Sequence, residues 1–273
     1  MSPTRVTLDT LFEVPCPVVG MVHLRSLPGA PGWGGSMEAV IDQARADARA
    51  LAEGGADGVM VENYGDVPFY PGRVPPETAA ALALAVAAVR AEVGERPVGV
   101  NVLRNDARTA VGVAAATGAA FVRVNVHSGV MVTDQGVLEG RAHETLRERA
   151  RLAPGVAILA DVFVKHAAPP PGLALEDAAR DTWHRGLADA LIVSGAGTGR
   201  PTARADLERV RAAVPDAPVW IGSGLTAASA PDLVPLASGA IVGSALKRDG
   251  RAEGPVDAGR VRALVEAVRS AGG

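Results

Sequence analysis

Gly118-Ala119-Ala120-Phe121-Val122-Arg123-Val124-Asn125-Val126-His127 reads as a helix end, a tight turn and a buried strand. The same order recurs in Gly55-Ala56-Asp57-Gly58-Val59, in Gly186-Leu187-Ala188-Asp189-Ala190 and in Ser238-Gly239-Ala240-Ile241-Val242. The glycines stand at 55, 118, 186 and 239, intervals of 63, 68 and 53 residues. Each interval has room for about two strand–helix units.

Working outward, eight apolar runs are read as strands: Val18–His23, Gly58–Glu62, Val98–Leu103, Ala120–His127, Val156–Lys165, Ala190–Ser194, Val219–Gly222 and Ala240–Gly243. Near-continuous Val, Ile and Ala runs mark strands buried on both faces, which requires parallel pairing with helical crossovers. Helical spacing of apolar residues fills the gaps, as in Met37–Glu53, Pro76–Glu92, Leu138–Leu152, Leu175–Arg185, Ala203–Val214, Ala227–Val234 and Asp257–Ser270. Ser36 is placed to cap the first helix, Pro75-Pro76 opens the second, and Gly94, Gly118 and Gly186 sit at expected helix ends. The prediction is an α/β chain folded as a single (βα)₈ TIM barrel, residues 1–273, with its core over about 15–270 and a short N-terminal extension at 1–14. A doubly wound sheet is the alternative. It is disfavoured because no G-x-G-x-x-G follows the first strand and eight units are many for one open sheet.

The 273 residues include 48% apolar side chains, enough for a large core. Lys and Arg number 27 against 30 Asp and Glu, a net charge of −3, and no basic block appears, so no nucleic-acid partner is expected. A lone cysteine, Cys16, excludes a disulfide framework or a cysteine-only zinc site within the chain. Apolar stretches such as Ala79–Val89 are too short to span a bilayer, and the start carries no secretory signal. The expectation is a soluble, cytoplasmic protein, alone or as a homo-oligomer.

Side chains alternate along a strand, so each run divides into two faces. In Val156–Lys165 the helix-facing set is Val156, Ile158, Ala160, Val162 and Val164, and the barrel-facing set is Ala157, Leu159, Asp161, Phe163 and Lys165. In the run ending at His127, the valines face out while Phe121, Arg123, Asn125 and His127 face in. By the same parity Met21, His23, Met60, Glu62, Asn101 and Ser194 point inward. Polar residues crowd the C-terminal ends of the strands, where barrel enzymes hold their substrates. Their burial requires pairing, for instance Arg123 with Glu62 and Lys165 with Asp161, or a wet functional pocket. Asp161, Lys165, Glu62 and His23 are the candidate catalytic groups, and Asn101, Arg123, Asn125, His127 and Ser194 the candidate substrate contacts. A regular strand would separate Asp161 and Lys165 by roughly 13 Å, with Asp161 deeper, between Leu159 and Phe163, holding or moving a proton.

Three glycine turns follow the late strands: Ser194-Gly195-Ala196-Gly197-Thr198-Gly199, Gly222-Ser223-Gly224 and Gly243-Ser244. Glycine lets backbone N–H groups approach an anion closely, and barrels often hold phosphate after strands seven and eight. Gly195, Gly197, Gly222, Ser223, Gly224, Gly243 and Ser244 are therefore the candidate phosphate contacts. Of the five histidines, His143 and His184 lie in helical stretches and His166 could reach the pocket rim. No compact metal motif appears among them, so neither a metal nor a cofactor is expected. Asp66 and Thr133-Asp134-Gln135-Gly136 are loop candidates that serve equally as turns.

Seven stretches resemble the BtpA/SgcQ family: Gly20–Leu24, Gly55–Phe69, Gly99–Asp106, Phe121–Val126, Thr133–Gly136, Asp161–His166 and Ile241–Lys247. The likeness runs from about residue 14 to 250 and is most specific in the second and fourth stretches. It implies a barrel of the ribulose-phosphate-binding kind. The family's name comes from photosystem I biogenesis, while other members are associated with sugar metabolism, which implies a phosphorylated small molecule. The expected activity is acid–base chemistry on a phosphorylated sugar or nucleotide, with isomerisation, aldol-type cleavage and glycosidic chemistry all open. Lys165 as a Schiff-base former competes with Lys165 as a paired ammonium. The alternatives are a non-catalytic biogenesis or stability factor for a membrane complex, and a regulatory ligand-binding barrel.

Overall fold

The computed structural model describes residues 5–195, 197 and 201–272. Eight parallel strands close into a barrel: β1 (Val18–His23), β2 (Gly58–Glu62), β3 (Val98–Asn101), β4 (Phe121–Val124), β5 (Ala157–Asp161), β6 (Ala190–Val193), β7 (Val219–Ile221) and β8 (Gly239–Val242). Each pairs with its neighbours in chain order, and β8 returns to β1 through Val18–Ala240 and Gly20–Val242. The chain is a TIM barrel. The helices outside it are α1 (Met37–Glu53), α2 (Pro76–Glu92), α3 (Ala107–Thr117), α4 (Ala142–Leu152), α5 (Leu175–Arg180, continued by a π turn over Asp181–Arg185), α6 (Arg204–Ala213), α7 (Ala230–Leu233) and α8 (Ala258–Gly272). Ser36 caps α1 by accepting from the Ala39 amide, Pro76 opens α2, and Gly118 ends α3 at φ +72°, as the sequence leads one to expect.

Several boundaries differ from the sequence reading, and two of them shift by four residues. The helix expected from Leu138 begins at Ala142, because Gly136–Glu139 instead pairs antiparallel with Val130–Thr133 around an Asp134-Gln135 turn. The fifth strand ends at Asp161, four residues short of Lys165, so residues beyond Asp161 no longer follow strand alternation.

Inside the barrel the predicted parity holds. Met21, Met60, Phe121, Ala157, Leu159, Ala190, Ile192, Trp220 and Ile241 form one apolar cluster, and the outward valines join the larger core under the helices. Phe163 is a correction: half-buried, it packs with the outer clusters, because it lies past the last ladder residue of β5. Gly99 makes space for a large neighbour, since a Cβ there would stand 2.1 Å from the Phe121 ring.

The N-terminal segment closes the barrel floor. Leu8 and Phe12 are buried in the inner cluster, and Phe12 lies 5.9 Å from the Phe121 ring and 5.5 Å from that of Trp220. The Val6 amide donates to Asp189 Oδ1 at 2.8 Å, and Asp189 also pairs with buried Arg149 at 2.6 Å. The polar end of the barrel is thus the opposite one, at the strands' C-termini. Phe12→Ala should cost about 3–5 kcal/mol of stability, a loss read directly in urea unfolding, since the aromatic plug cannot be replaced without a cavity.

Candidate functional site

Arg123 at the end of β4 and Asp161 at the end of β5 form a bidentate ion pair, Nε to Oδ2 at 2.9 Å and Nη2 to Oδ1 at 2.8 Å. Both residues are 2% exposed. Ser194 donates to Oδ1 at 3.0 Å and Asn125 to Oδ2 at 3.1 Å, so the Asp161 carboxylate receives a full set of donors. The pairing differs from the sequence expectation. Arg123 takes Asp161 rather than Glu62, and Lys165 makes no ion pair among the described residues. The reason is register: Arg123 stands opposite Leu159 on β5, one inward position below Asp161, within reach of its carboxylate.

Glu62 accepts from Asn101 Nδ2 through Oε2 at 2.5 Å, and its Oε1 lies 3.8 Å from His23 Nε2. His23 Nδ1 is 2.9 Å from the Ala252 carbonyl, to which it must donate, so Nε2 carries the lone pair. Burial, against the raising effect of Glu62, pushes the His23 pKa down to about 4, and the ring is neutral at pH 7. It stacks on Tyr64 with ring centroids 4.5 Å apart.

Lys165 sits in the loop above Asp161. Its departure from the strand brings it over the mouth, where it lines two cavities. One, about 20 Å³, is bounded by His23, Arg123, Gly222, Ser223, Gly224, Gly243 and Ser244, with Met21 and Ile241 beneath. The other, about 300 Å³, is bounded by Glu62, Tyr64, Val67, Phe69, Leu103, Arg104, Asp134 and His166. Burial holds the Lys165 ammonium below the usual lysine value, countered mainly by Glu62.

Gly222 and Gly243 have specific reasons to lack a side chain. A Cβ on Gly222 would lie 2.2 Å from Ser194 Oγ, and one on Gly243 would lie 3.0 Å from the His23 ring. Two of the amides singled out in the sequence already have partners. The Gly195 N–H donates to Ser223 Oγ at 3.0 Å and the Gly222 N–H to the Val193 carbonyl at 2.8 Å, so both amides are engaged within the protein. Gly197 is buried, while residues 196 and 198–200 of that turn lie outside the described residues.

His127 does not join the mouth. Its Nε2 donates to the Gly186 carbonyl at 2.8 Å, at the end of the turn that follows α5, because the chain leaves β4 after Val124 and alternation lapses. Burial lowers its pKa to about 4. Asp66 is a loop-building acid, accepting from the Leu27 amide at 2.7 Å and Asn63 Nδ2 at 3.0 Å. His143 and His184 are exposed on helices. Arg104 and Tyr64 are site residues that alternation could not assign. Both follow strand ends, and Arg104 is held by donation to the Lys165 carbonyl at 2.5 Å. Their signal in the sequence is position alone, just past a strand's C-terminal end. Among the described residues, no group of three His, Cys, Asp or Glu side chains is placed to hold a metal ion.

A model described as the BtpA family matches residues 15–270. The photosystem I biogenesis protein BtpA of Synechocystis sp. is 49% identical over 257 residues, covering 94% of this chain and 89% of that protein. The solved thiamine phosphate pyrophosphorylase from Pyrococcus furiosus superposes with a TM-score of 0.59 at 14% identity, over 95% of this chain and 98% of that one. The 3-hexulose-6-phosphate synthase from Salmonella typhimurium superposes with a TM-score of 0.57 at 16% identity, over 93% of this chain and 99% of that one. At these identities the two structures share the fold.

Two consequences are measurable. Asp161→Asn leaves Arg123 buried without its counter-charge and should cost about 3–5 kcal/mol in urea unfolding, whereas a simultaneous Arg123→Met should restore much of it. His23 and His127 titrate near 4 in the fold, against an ordinary histidine value of about 6.5. The unfolded chain therefore binds more protons between those values, and their stabilisation, complete above about pH 6.5, is lost as pH falls toward 4. The melting temperature should drop between pH 7 and pH 5, and less steeply in His127→Gln.

Proposed function

The chain belongs to the BtpA family, and from that premise we propose that it is an enzyme performing acid–base chemistry on a phosphorylated small molecule at the C-terminal face of its barrel. The observation that carries this reading is Lys165, a half-buried residue with no ion pair among the described residues, which lines both the glycine-bounded cavity and the larger cavity holding Glu62. A cation partly withdrawn from water and without a counter-charge favours an anion beside it, and a ligand phosphate supplies that charge. The described cavity at the glycines admits about one water, so a phosphate there has to extend into the space above the turns.

Roles follow from geometry. Ser223, Gly224, Gly243 and Ser244 bound the anion, while Lys165 bridges it to the reacting part of the ligand. Glu62, with one oxygen held by Asn101 and the other beside the neutral His23 ring, is the proton acceptor. Lys165 and Arg104 stabilise negative charge developing in the larger cavity. Asp161 is a positioning residue that holds Arg123, with Asn125 and Ser194 completing the clamp. Isomerase, lyase and glycosidic reactions all use such a set.

A second reading, a non-catalytic biogenesis factor, draws support from the name of the Synechocystis relative. A scaffold has no use for an unpaired lysine at the mouth, and this favours the enzyme. The test is a thermal-shift screen of sugar phosphates and nucleotides, followed by turnover assays on those that bind. Lys165→Met should weaken a bound sugar phosphate at least 10-fold. Glu62→Gln keeps the Asn101 contact and should retain affinity while slowing turnover by about 10²–10⁴-fold. Full turnover in Glu62→Gln, or unchanged affinity in Lys165→Met, would overturn these assignments.

A further inference from the structure

The roomiest of the described cavities near the mouth has no part in the reading above. It encloses about 640 Å³, a volume typical of small-molecule sites, between the β1–α1 loop, the start of α1 and the segment at Glu253–Pro255. The stacked His23 and Tyr64 rings are its shared wall with the site: His23 also lines the glycine-bounded cavity, and Tyr64 the cavity holding Glu62.

Its lining has a definite chemistry. Trp33, Leu24, Val40 and Pro255 offer apolar surface, including one indole ring. Two of its polar side chains turn acceptors toward it. Gln43 Nε2 donates to Asp47 Oδ2 at 2.5 Å, which fixes the amide orientation because a carboxylate only accepts. Gln43 Oε1 is therefore a buried acceptor, and it has no hydrogen-bond partner among the described residues. The Ser26 hydroxyl gives its proton to the Gly65 carbonyl at 2.6 Å, so toward the cavity it too can only accept. Arg25 and Glu253 at the edge cancel in charge. A ligand matched to this lining is flat, neutral and apolar on its faces, with N–H donors on its edge.

We propose that this cavity is the subsite for an amino-bearing heterocycle, the base end of a nucleotide whose phosphate stands above the glycine turns. It rests on the phosphate-site reading above and narrows the substrate class from phosphorylated small molecules to nucleotides. His23 then lies between base and phosphate, beside the sugar.

Titration calorimetry with adenosine 5′-monophosphate, adenosine and ribose 5-phosphate separates the two readings. The expected result is that the nucleotide binds at least 10-fold more tightly than ribose 5-phosphate. Ala39, exposed on the first turn of α1 and lining the cavity, is the site for a blocking change. Ala39→Trp should erase that 10-fold preference while leaving ribose 5-phosphate affinity within about twofold. Trp33→Ala is the second variant should Ala39→Trp fail to fold, and it should lower the preference in the same direction. Equal affinity for nucleotide and sugar phosphate in the unaltered protein, or a preference unchanged in a folded variant, overturns the subsite. If ribose 5-phosphate fails to bind at all, the phosphate reading fails, and adenosine alone decides this one. Binding of adenosine that Ala39→Trp abolishes supports the cavity, and no binding overturns it.

Discussion

The bidentate contact between Arg123 and Asp161 organises the mouth of this barrel. It ties the end of β4 to the end of β5, and Ser194 extends it to the end of β6. Two charges this deeply buried are tolerable because each neutralises the other through two hydrogen bonds, and the carboxylate accepts two more. That saturation has a consequence next door. With Asp161 fully occupied, Lys165 is left above the pair without a carboxylate of its own. Where the two cavities of the mouth meet, Lys165 thus stands with Glu62 on one side and the glycine turns on the other, and neither it nor buried Arg104 forms an ion pair among the described residues.

The rest of the molecule divides labour around that point. The floor is apolar and mechanically closed, with Phe12 driven against Phe121 and Trp220. Glycine opposite bulk lets the aromatic rings fill the narrow interior at normal density. Loops carry what the floor cannot. The segment after β8 is anchored by buried Lys247, which pairs with Asp47 of α1 at 2.8 Å, and the same carboxylate orients Gln43 in the large cavity. One structural ion pair thus shapes the wall of a candidate binding site.

Membership in the BtpA family accounts for the extent of the likeness but assigns no reaction to these side chains. The barrel's solved neighbours share architecture at 14–16% identity, and architecture of this kind hosts many chemistries. Function is therefore argued from the site: a neutral histidine oriented by a carbonyl, a carboxylate with one oxygen held by an amide, and an unpaired ammonium between them and a glycine-bounded cavity.

The sequence by itself determined the barrel, the parity of its strands and the identity of most polar groups at its C-terminal face. These are local matters. A strand's alternation follows from backbone dihedrals, so His23, Glu62, Asn101, Arg123 and Asp161 could be assigned inward from the run in which each sits. Only the tertiary structure decided who pairs with whom, because partners across neighbouring strands depend on the register of barrel closure, which no single run encodes. It also decided the fate of residues beyond the last ladder bond. Lys165 curls over the mouth, His127 turns toward Gly186, Phe163 joins the outer core and Arg104 enters the site unannounced. Past that bond the period of two no longer governs the chain, and contacts between segments distant in sequence set each side chain's direction.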